Sequence, residues 1–174
     1  AGSIANAEYL KEKGEIYYKM PYYEIKSKVK DVDIKSFEPL KEDRGLIGDY
    51  YAKDNKYVYF YGKKLKDVLP EGFETVKENY VKDSKNVYYI QLDPSYILDT
   101  DNALKDNALK NVVKVLKGAN PNTFEVINDY YSKDDKNIFY ISWIVEKEPL
   151  IKGADIKTFE VLNNDFSKDK DNVY

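Results

Sequence analysis

Four segments of the chain repeat one order of apolar and polar positions. Each has a Phe-Glu pair followed by apolar residues, then a Lys-Asp pair, two or three polar residues with Asn, and a run such as Val-Tyr-Tyr. Asp favours tight turns because its side chain accepts a backbone amide two residues further on. Val, Ile, Tyr and Phe suit a half-buried pleated surface. The pattern therefore predicts a strand, a tight turn and a second strand in every segment.

The positions of these pairs divide the chain into copies. The Phe-Glu pairs are Phe37-Glu38, Phe73-Glu74, Phe124-Glu125 and Phe159-Glu160, and the Lys-Asp pairs are Lys53-Asp54, Lys82-Asp83, Lys133-Asp134 and Lys168-Asp169. We place a partial copy at residues 15–30 and further copies at 31–66, 67–117, 118–152 and 153–174. The last copy stops inside the motif, from which we expect the natural protein to continue.

The motif of Lys-Asp, turn residues with Asn, and Val-Tyr-Tyr resembles the DKNYY repeat family of bacterial proteins, over roughly residues 15–174. The resemblance implies a repeat architecture and carries no assigned activity and no site residues. We predict a mainly β fold of tandem antiparallel β-hairpin repeats, about 35 residues each, that form a curved or elongated sheet array. Asx-Pro and Asx-Ile dipeptides before the Phe residues predict short helical turns.

Two segments stand outside this pattern. Residues 1–14 begin with a processed end or tag, and the segment that ends at Gly14 predicts a short exposed helix. Residues 101–110 duplicate the sequence DNALK, and apolar residues every four positions from Leu104 to Leu116 allow a helix closed by Gly118. We favour a polar helix or loop at 100–110, followed by the closing strand of the copy.

Strand alternation assigns side chains to opposite faces of each hairpin. We assign one column and the repeated phenylalanines to the core: Val58, Val87, Ile138, Phe37, Phe73, Phe124 and Phe159. The middle aromatics form the other column and are the candidate exposed binding face: Tyr17, Tyr59, Tyr88, Phe139 and Tyr174. The 18 tyrosines of the chain fit sheet packing, and they also fit contact pads for an extended partner.

Composition excludes several functional classes. The chain has no cysteine and no histidine, so disulfides, Cys/His zinc sites and Ser-His-Asp triads are absent. The net charge is −3 and Arg44 is the only arginine, which disfavours nucleic-acid binding. No apolar run approaches the ~20 residues of a membrane-spanning helix. The repeated glutamates are best interpreted as cross-strand ion pairs, and the acidic clusters lack the pattern of a calcium loop.

These observations favour a non-catalytic, tyrosine-rich repeat module that binds a protein or a glycan. It needs no cofactor or metal, and a location outside the cytoplasm is favoured. The alternative is an immunity or inhibitor protein that neutralises another macromolecule, for which the acidic pI near 5.2 is suitable. Enzymatic activity is disfavoured because the usual acid–base and nucleophilic side chains, His and Cys, are missing.

Overall fold

The structure is a computed structural model that describes residues 8–19, 26–40, 50–77, 79–91, 112–142 and 148–174. Every regular element in these ranges is a β-strand, and none of the ranges contains a helix that could cross a membrane. The chain forms two compact units. The first consists of Ala1–Phe73 with Leu92–Val112, and the second of Glu74–Gln91 with Val113–Tyr174.

The first unit contains two antiparallel sheets. The three-stranded sheet has the order β1-β2-β3, with β1 Glu8–Glu12, β2 Glu15–Lys19 and β3 Lys26–Lys28. The four-stranded sheet has the order β4-β5-β6-β7, with β4 Glu38–Leu40, β5 Tyr51–Lys53, β6 Val58–Phe60 and β7 Lys63–Leu65. Neighbouring strands in each sheet are consecutive in sequence, as expected for hairpins.

The second unit contains three antiparallel sheets. One has the order β11-β10-β9-β8, with β8 Glu74–Lys77, β9 Tyr80–Lys82, β10 Val87–Ile90 and β11 Val113–Val115. The next has the order β12-β13-β14, with β12 Glu125–Val126, β13 Tyr131–Lys133 and β14 Ile138–Tyr140. The last pairs β15 Glu160–Val161 with β16 Ser167–Lys168.

The strand–turn–strand prediction is confirmed at each Lys-Asp pair. In the first full copy Lys53 pairs with Val58 across the turn, and in the next copy Lys82 pairs with Val87. The Asx segments form single turns, as in the bond from the amide of Ser36 to the carbonyl of Asp33 at 3.2 Å. The fold is thus a series of antiparallel hairpin repeats joined by short turns.

The prediction of a helix at the N-terminal end is wrong for residues 8–12, which form β1. Lys13 and Gly14 have φ of 49° and 78° and join β1 to β2 as a two-residue hairpin loop with positive φ at both positions. The ring of Tyr9 lies 4.9 Å from that of Tyr18 and 5.5 Å from that of Phe37. These tertiary contacts favour a strand over a solvated helix.

A second loop of the same kind joins β6 to β7. Tyr61 and Gly62 have φ of 51° and 72° there. A Cβ on Gly62 would stand 2.5 Å from the Cβ of Tyr18, so this position requires glycine for its backbone conformation and for space.

The segment predicted as a helix or loop at 100–110 lies outside the described residues. The closing strand predicted to follow it is present as β11, in which Val115 pairs with Tyr88. The corresponding segment of the next copy pairs through Leu150, which forms a bridge with Phe139. The alternative of a continuous helix up to Gly118 is therefore wrong over Val113–Val115.

The prediction that the middle aromatics are exposed is wrong for Tyr59, Tyr88 and Phe139, which are at most 1% exposed. In the first unit Tyr59 packs with Ala52 of its own sheet and with Tyr18 of the β1–β3 sheet. On the opposite side of the same sheet, the Tyr51 ring lies 4.6 Å from that of Phe60 and 5.6 Å from that of Phe73. Both faces of this sheet are therefore covered.

The second unit shows the same two-sided packing. Phe139 joins a cluster with Phe124 and Tyr80, while Tyr131 on the neighbouring strand packs against Phe159 at 5.9 Å. Val58, Val87 and Ile138 are at most 1% exposed, Phe73 and Phe124 are buried, and Phe37 and Phe159 are half-buried. The hairpins that contain Tyr59, Tyr88 and Phe139 are thus covered on both faces and do not offer a free aromatic face.

Candidate functional site

The aspartates of the Lys-Asp pairs organise each hairpin turn. Their side chains are buried at Asp54, Asp83, Asp134 and Asp169. One carboxylate oxygen of Asp54 accepts the amides of Lys56 and Tyr57, both at 2.7 Å. The same pair of bonds, at 2.7–2.8 Å, recurs at the other three aspartates. The turn therefore depends on a side-chain acceptor, which explains the recurrence of Asp.

The second carboxylate oxygen ties this turn to other parts of its copy. In Asp54 it accepts the hydroxyl of Tyr59 and the amide of Asp33, both at 2.8 Å. The hydroxyls of Tyr88 and Tyr174 donate in the same way to Asp83 and Asp169, at 2.7 and 2.8 Å. A tyrosine predicted to face a partner is thus an internal hydrogen-bond donor.

Hydrogen bonding lowers the pKa of two of these aspartates, Asp54 and Asp169. Burial acts to raise the pKa of Asp54, but the amides and the phenol that donate to its carboxylate outweigh burial and hold the pKa below its usual value. The amide of Asp155 and the hydroxyl of Tyr174 likewise lower the pKa of Asp169. Burial, and then the bond to Asp54, raise the pKa of Tyr59. Neither member of the pair is poised to exchange a proton near neutral pH.

The third copy offers a direct test of the tyrosine bond, because Phe139 stands where the other copies have tyrosine. The second carboxylate oxygen of Asp134 accepts the amide of Asn120 at 2.8 Å and the side-chain amide of Asn137 at 3.4 Å there. We expect Phe139→Tyr to add the missing hydrogen bond and to raise the free energy of unfolding by about 1 kcal/mol. Urea denaturation measures the change. The reverse substitution Tyr59→Phe serves as the control and should lower stability by a similar amount.

The repeated Phe-Glu glutamates form the expected cross-strand ion pairs. Glu74 lies opposite Lys82, with 2.8 Å between the carboxylate and the ammonium group. The other three pairs have the same register and distances of 3.1–3.3 Å, at Glu38–Lys53, Glu125–Lys133 and Glu160–Lys168. These glutamate side chains are exposed, so each pair contributes at most about 1 kcal/mol.

Two members of the acidic clusters in the described residues, Asp33 and Asp135, accept hydrogen bonds at turns. Asp33 accepts the amide of Lys35 at 3.1 Å, and Asp135 accepts the hydroxyl of Thr123 at 2.7 Å. Within the described ranges, no group of three or more acidic side chains is arranged to hold a metal ion.

The two remaining members of the predicted aromatic face are half-buried. Tyr17 donates its hydroxyl to Glu15 at 2.7 Å, and the ammonium group of Lys26 lies 4.4 Å from its ring centre. Tyr174 donates to Asp169, as described above. The five aromatic residues therefore do not share one exposed surface.

A cleft of about 500 Å³ lies in the second unit, and sequence reasoning missed it. One wall is formed by Tyr89, Gln91, Lys114, Val115 and Lys117, and the other by Ile141, Ser142, Glu148, Pro149 and Leu150. The first wall comes from β10, β11 and the residues that follow each of them, and the second comes from the residues after β14 and the closing segment of the next copy. The only sequence signal was Tyr89, the outer residue of a tyrosine doublet, because strand alternation directs it away from its buried neighbour Tyr88.

The lining of the cleft combines apolar and charged groups. Val115 is 43% exposed, and the ring of Tyr89 is partly buried beside it. The ammonium group of Lys114 donates to the side chain of Gln91 at 3.0 Å, and Lys117 is exposed. The volume is within the range of ligand sites, and the lining carries Lys114 and Lys117 on one wall and Glu148 on the other.

Comparison with known proteins gives one result. A family model described as the DKNYY family matches residues 9–174, which is nearly the whole chain. No curated protein and no solved structure matches it.

Proposed function

Since this chain belongs to the DKNYY family, a family of repeats, we propose that it is a non-catalytic module that binds a segment of a partner protein. The cleft between β11 and residues 148–150 is the observation that carries this proposal. It contains Tyr89, the second tyrosine of the Val-Tyr-Tyr run in its copy, together with the exposed side chain of Val115.

The lining favours a protein over a glycan. A glycan platform needs aromatic faces that are open to solvent, and the middle aromatics instead pack inside the sheets. In the cleft, the side chains of Val115 and Leu150 supply apolar contact, while Lys114 and Lys117 attract carboxylates. Aromatic and aliphatic anchors bordered by charged groups are typical of protein interfaces.

The proposal is tested by partner capture with the full chain from an extract of the source organism. The double variant Val115→Glu with Lys117→Glu introduces a carboxylate into the apolar wall and reverses one charge. We expect retention of the partner to fall at least tenfold, since like charges then oppose an acidic segment. Both side chains are exposed, so thermal stability should stay near that of the wild type.

The matched control is Ile127→Glu with Lys157→Glu, which makes the same chemical changes away from the cleft. Ile127 is 39% exposed and Lys157 is exposed. Equal loss of the partner in both double variants would mean that overall charge governs capture. Full retention by the cleft variant would remove the cleft as the site.

A further inference from the structure

The last copy exposes an apolar surface that the other copies bury. Phe166, which directly precedes β16, is 54% exposed, and Val173, which bridges to Lys168 of β16, is 70% exposed. By repeat position, Phe166 corresponds to Tyr51, Tyr80 and Tyr131, and Val173 corresponds to Val58, Val87 and Ile138. All six of these equivalents are at most 5% exposed. We call the surface formed by Phe166 and Val173 the end face.

One recurring contact covers the tyrosine of each equivalent surface. Phe73 lies 5.6 Å from Tyr51 between ring centres. Phe124 lies 5.2 Å from Tyr80, and Phe159 lies 5.9 Å from Tyr131. In all three pairs the rings are tilted by 49–55°, an arrangement that aromatic pairs favour. The covering group is each time the phenylalanine of the Phe-Glu pair in the copy that follows.

The segment before this phenylalanine forms the same hydrogen-bonded turn in the third and fourth copies. The amide of Thr123 bonds to the carbonyl of Asn120, and the amide of Thr158 bonds to that of Asp155, both at 3.2 Å. The phenylalanine follows directly and leads into the Phe-Glu strand, whose glutamate pairs with lysine as described above. A hydrogen-bonded turn thus places the ring against the neighbouring hairpin.

We infer that the end face is a docking surface for a further unit of this same repeat, which covers Phe166 with the phenylalanine of its own Phe-Glu pair. The same contact between consecutive copies already occurs three times in the molecule. A further unit would therefore place its phenylalanine against Phe166 as Phe73, Phe124 and Phe159 are placed against their tyrosines. The phenylalanines of the four Phe-Glu pairs each already contact an aromatic ring within this chain. These phenylalanines are therefore not available to cover the end face of a second molecule, and the occupant that we infer is an additional repeat unit. This inference concerns a surface other than the cleft and does not depend on the proposed function.

A tethered unit provides the test. The probe is the full chain extended after Tyr174 by a second copy of residues 140–174, so that the fourth copy acquires a following unit. Phe166→Ala is introduced into the extended and the unextended chain. In the unextended chain we expect almost no change in Tm, because Phe166 is exposed. In the extended chain we expect Tm to fall by at least about 6 °C, as for removal of a buried aromatic ring.

The matched control is the extended chain in which the added counterpart of Phe159 is replaced by alanine. Phe166→Ala should then again have almost no effect, since the covering ring is gone. An effect of Phe166→Ala that is the same in the extended and unextended chains would overturn the inference. Concentration-dependent dimerisation of the unextended chain, abolished by Phe166→Ala, would also overturn it, because the occupant would then be a second copy of this chain.

Discussion

Replacement of Phe124 by alanine is expected to lower the free energy of unfolding by about 3–5 kcal/mol. Phe124 is 8% exposed and belongs to a buried cluster with Tyr80, Leu116 and Phe139. Its loss leaves a cavity between two consecutive hairpins, where the rigid sheets on either side cannot close together. Chemical denaturation followed by circular dichroism measures the change.

Phe166→Ala in the unextended chain is the matched control, because it removes the same ring from an exposed position of the same unit. It should change the free energy of unfolding by no more than about 0.5 kcal/mol. Equal losses in the two variants would show that burial at Phe124 is not what stabilises the contact between the hairpins.

Replacement of Asp54 by alanine is expected to lower the free energy of unfolding by about 3–5 kcal/mol, which is as much as for Phe124→Ala. The carboxylate accepts four hydrogen bonds, three from backbone amides and one from the hydroxyl of Tyr59. Without it, the amide of Asp33 loses its acceptor, and the buried phenol of Tyr59 keeps only its longer bond to the carbonyl of Asp31, at 3.3 Å. The turn also loses the side chain that closes it. Asp129→Ala, at an exposed position, should change stability little.

The same substitution should alter the dependence of stability on pH. The pKa of Asp54 is lowered in the folded chain, so as pH falls the unfolded chain takes up this proton first. Asp54 therefore contributes its full stabilisation above about pH 5. This stabilisation is lost as pH falls through about 3.9, the pKa of Asp in the unfolded chain, and then through the lower pKa of the folded chain. The difference in Tm between wild type and Asp54→Ala should therefore be constant from pH 6 to 8 and shrink towards pH 3. A difference that grows on acidification would contradict this role.

Local chemistry explains why the hairpins could be predicted. Asp54 meets its turn partners Lys56 and Tyr57 within three residues, so the signal is contained in a short stretch of sequence. The ion pairs of the Phe-Glu glutamates were also foreseeable, because a strand before a hairpin places its residues opposite those of the next strand. The Lys-Asp turn and the Phe-Glu pair recur in every full copy, so the same strands could be predicted in each copy.

Two errors arose where a distant contact decided the outcome. The segment before Gly14 has polar residues typical of an exposed helix, yet the packing of Tyr9 against Phe37 favours a strand. Tyr59 and Val58 are neighbours in one strand, so their side chains lie on opposite faces of the sheet. This suggested that one is buried and the other exposed, yet both are buried. The cleft was missed for a related reason, because its two walls come from segments of two consecutive copies that are far apart in sequence.

The sequence by itself determined the repeat, the hairpins and the residues that make each turn, because these depend on bonds between near neighbours. Only the tertiary structure decided which faces are covered, where the cleft lies and that Tyr59, Tyr88 and Tyr174 bond to buried aspartates. Strand alternation assigns a side chain to one face of a sheet, but it carries no information on what packs against that face.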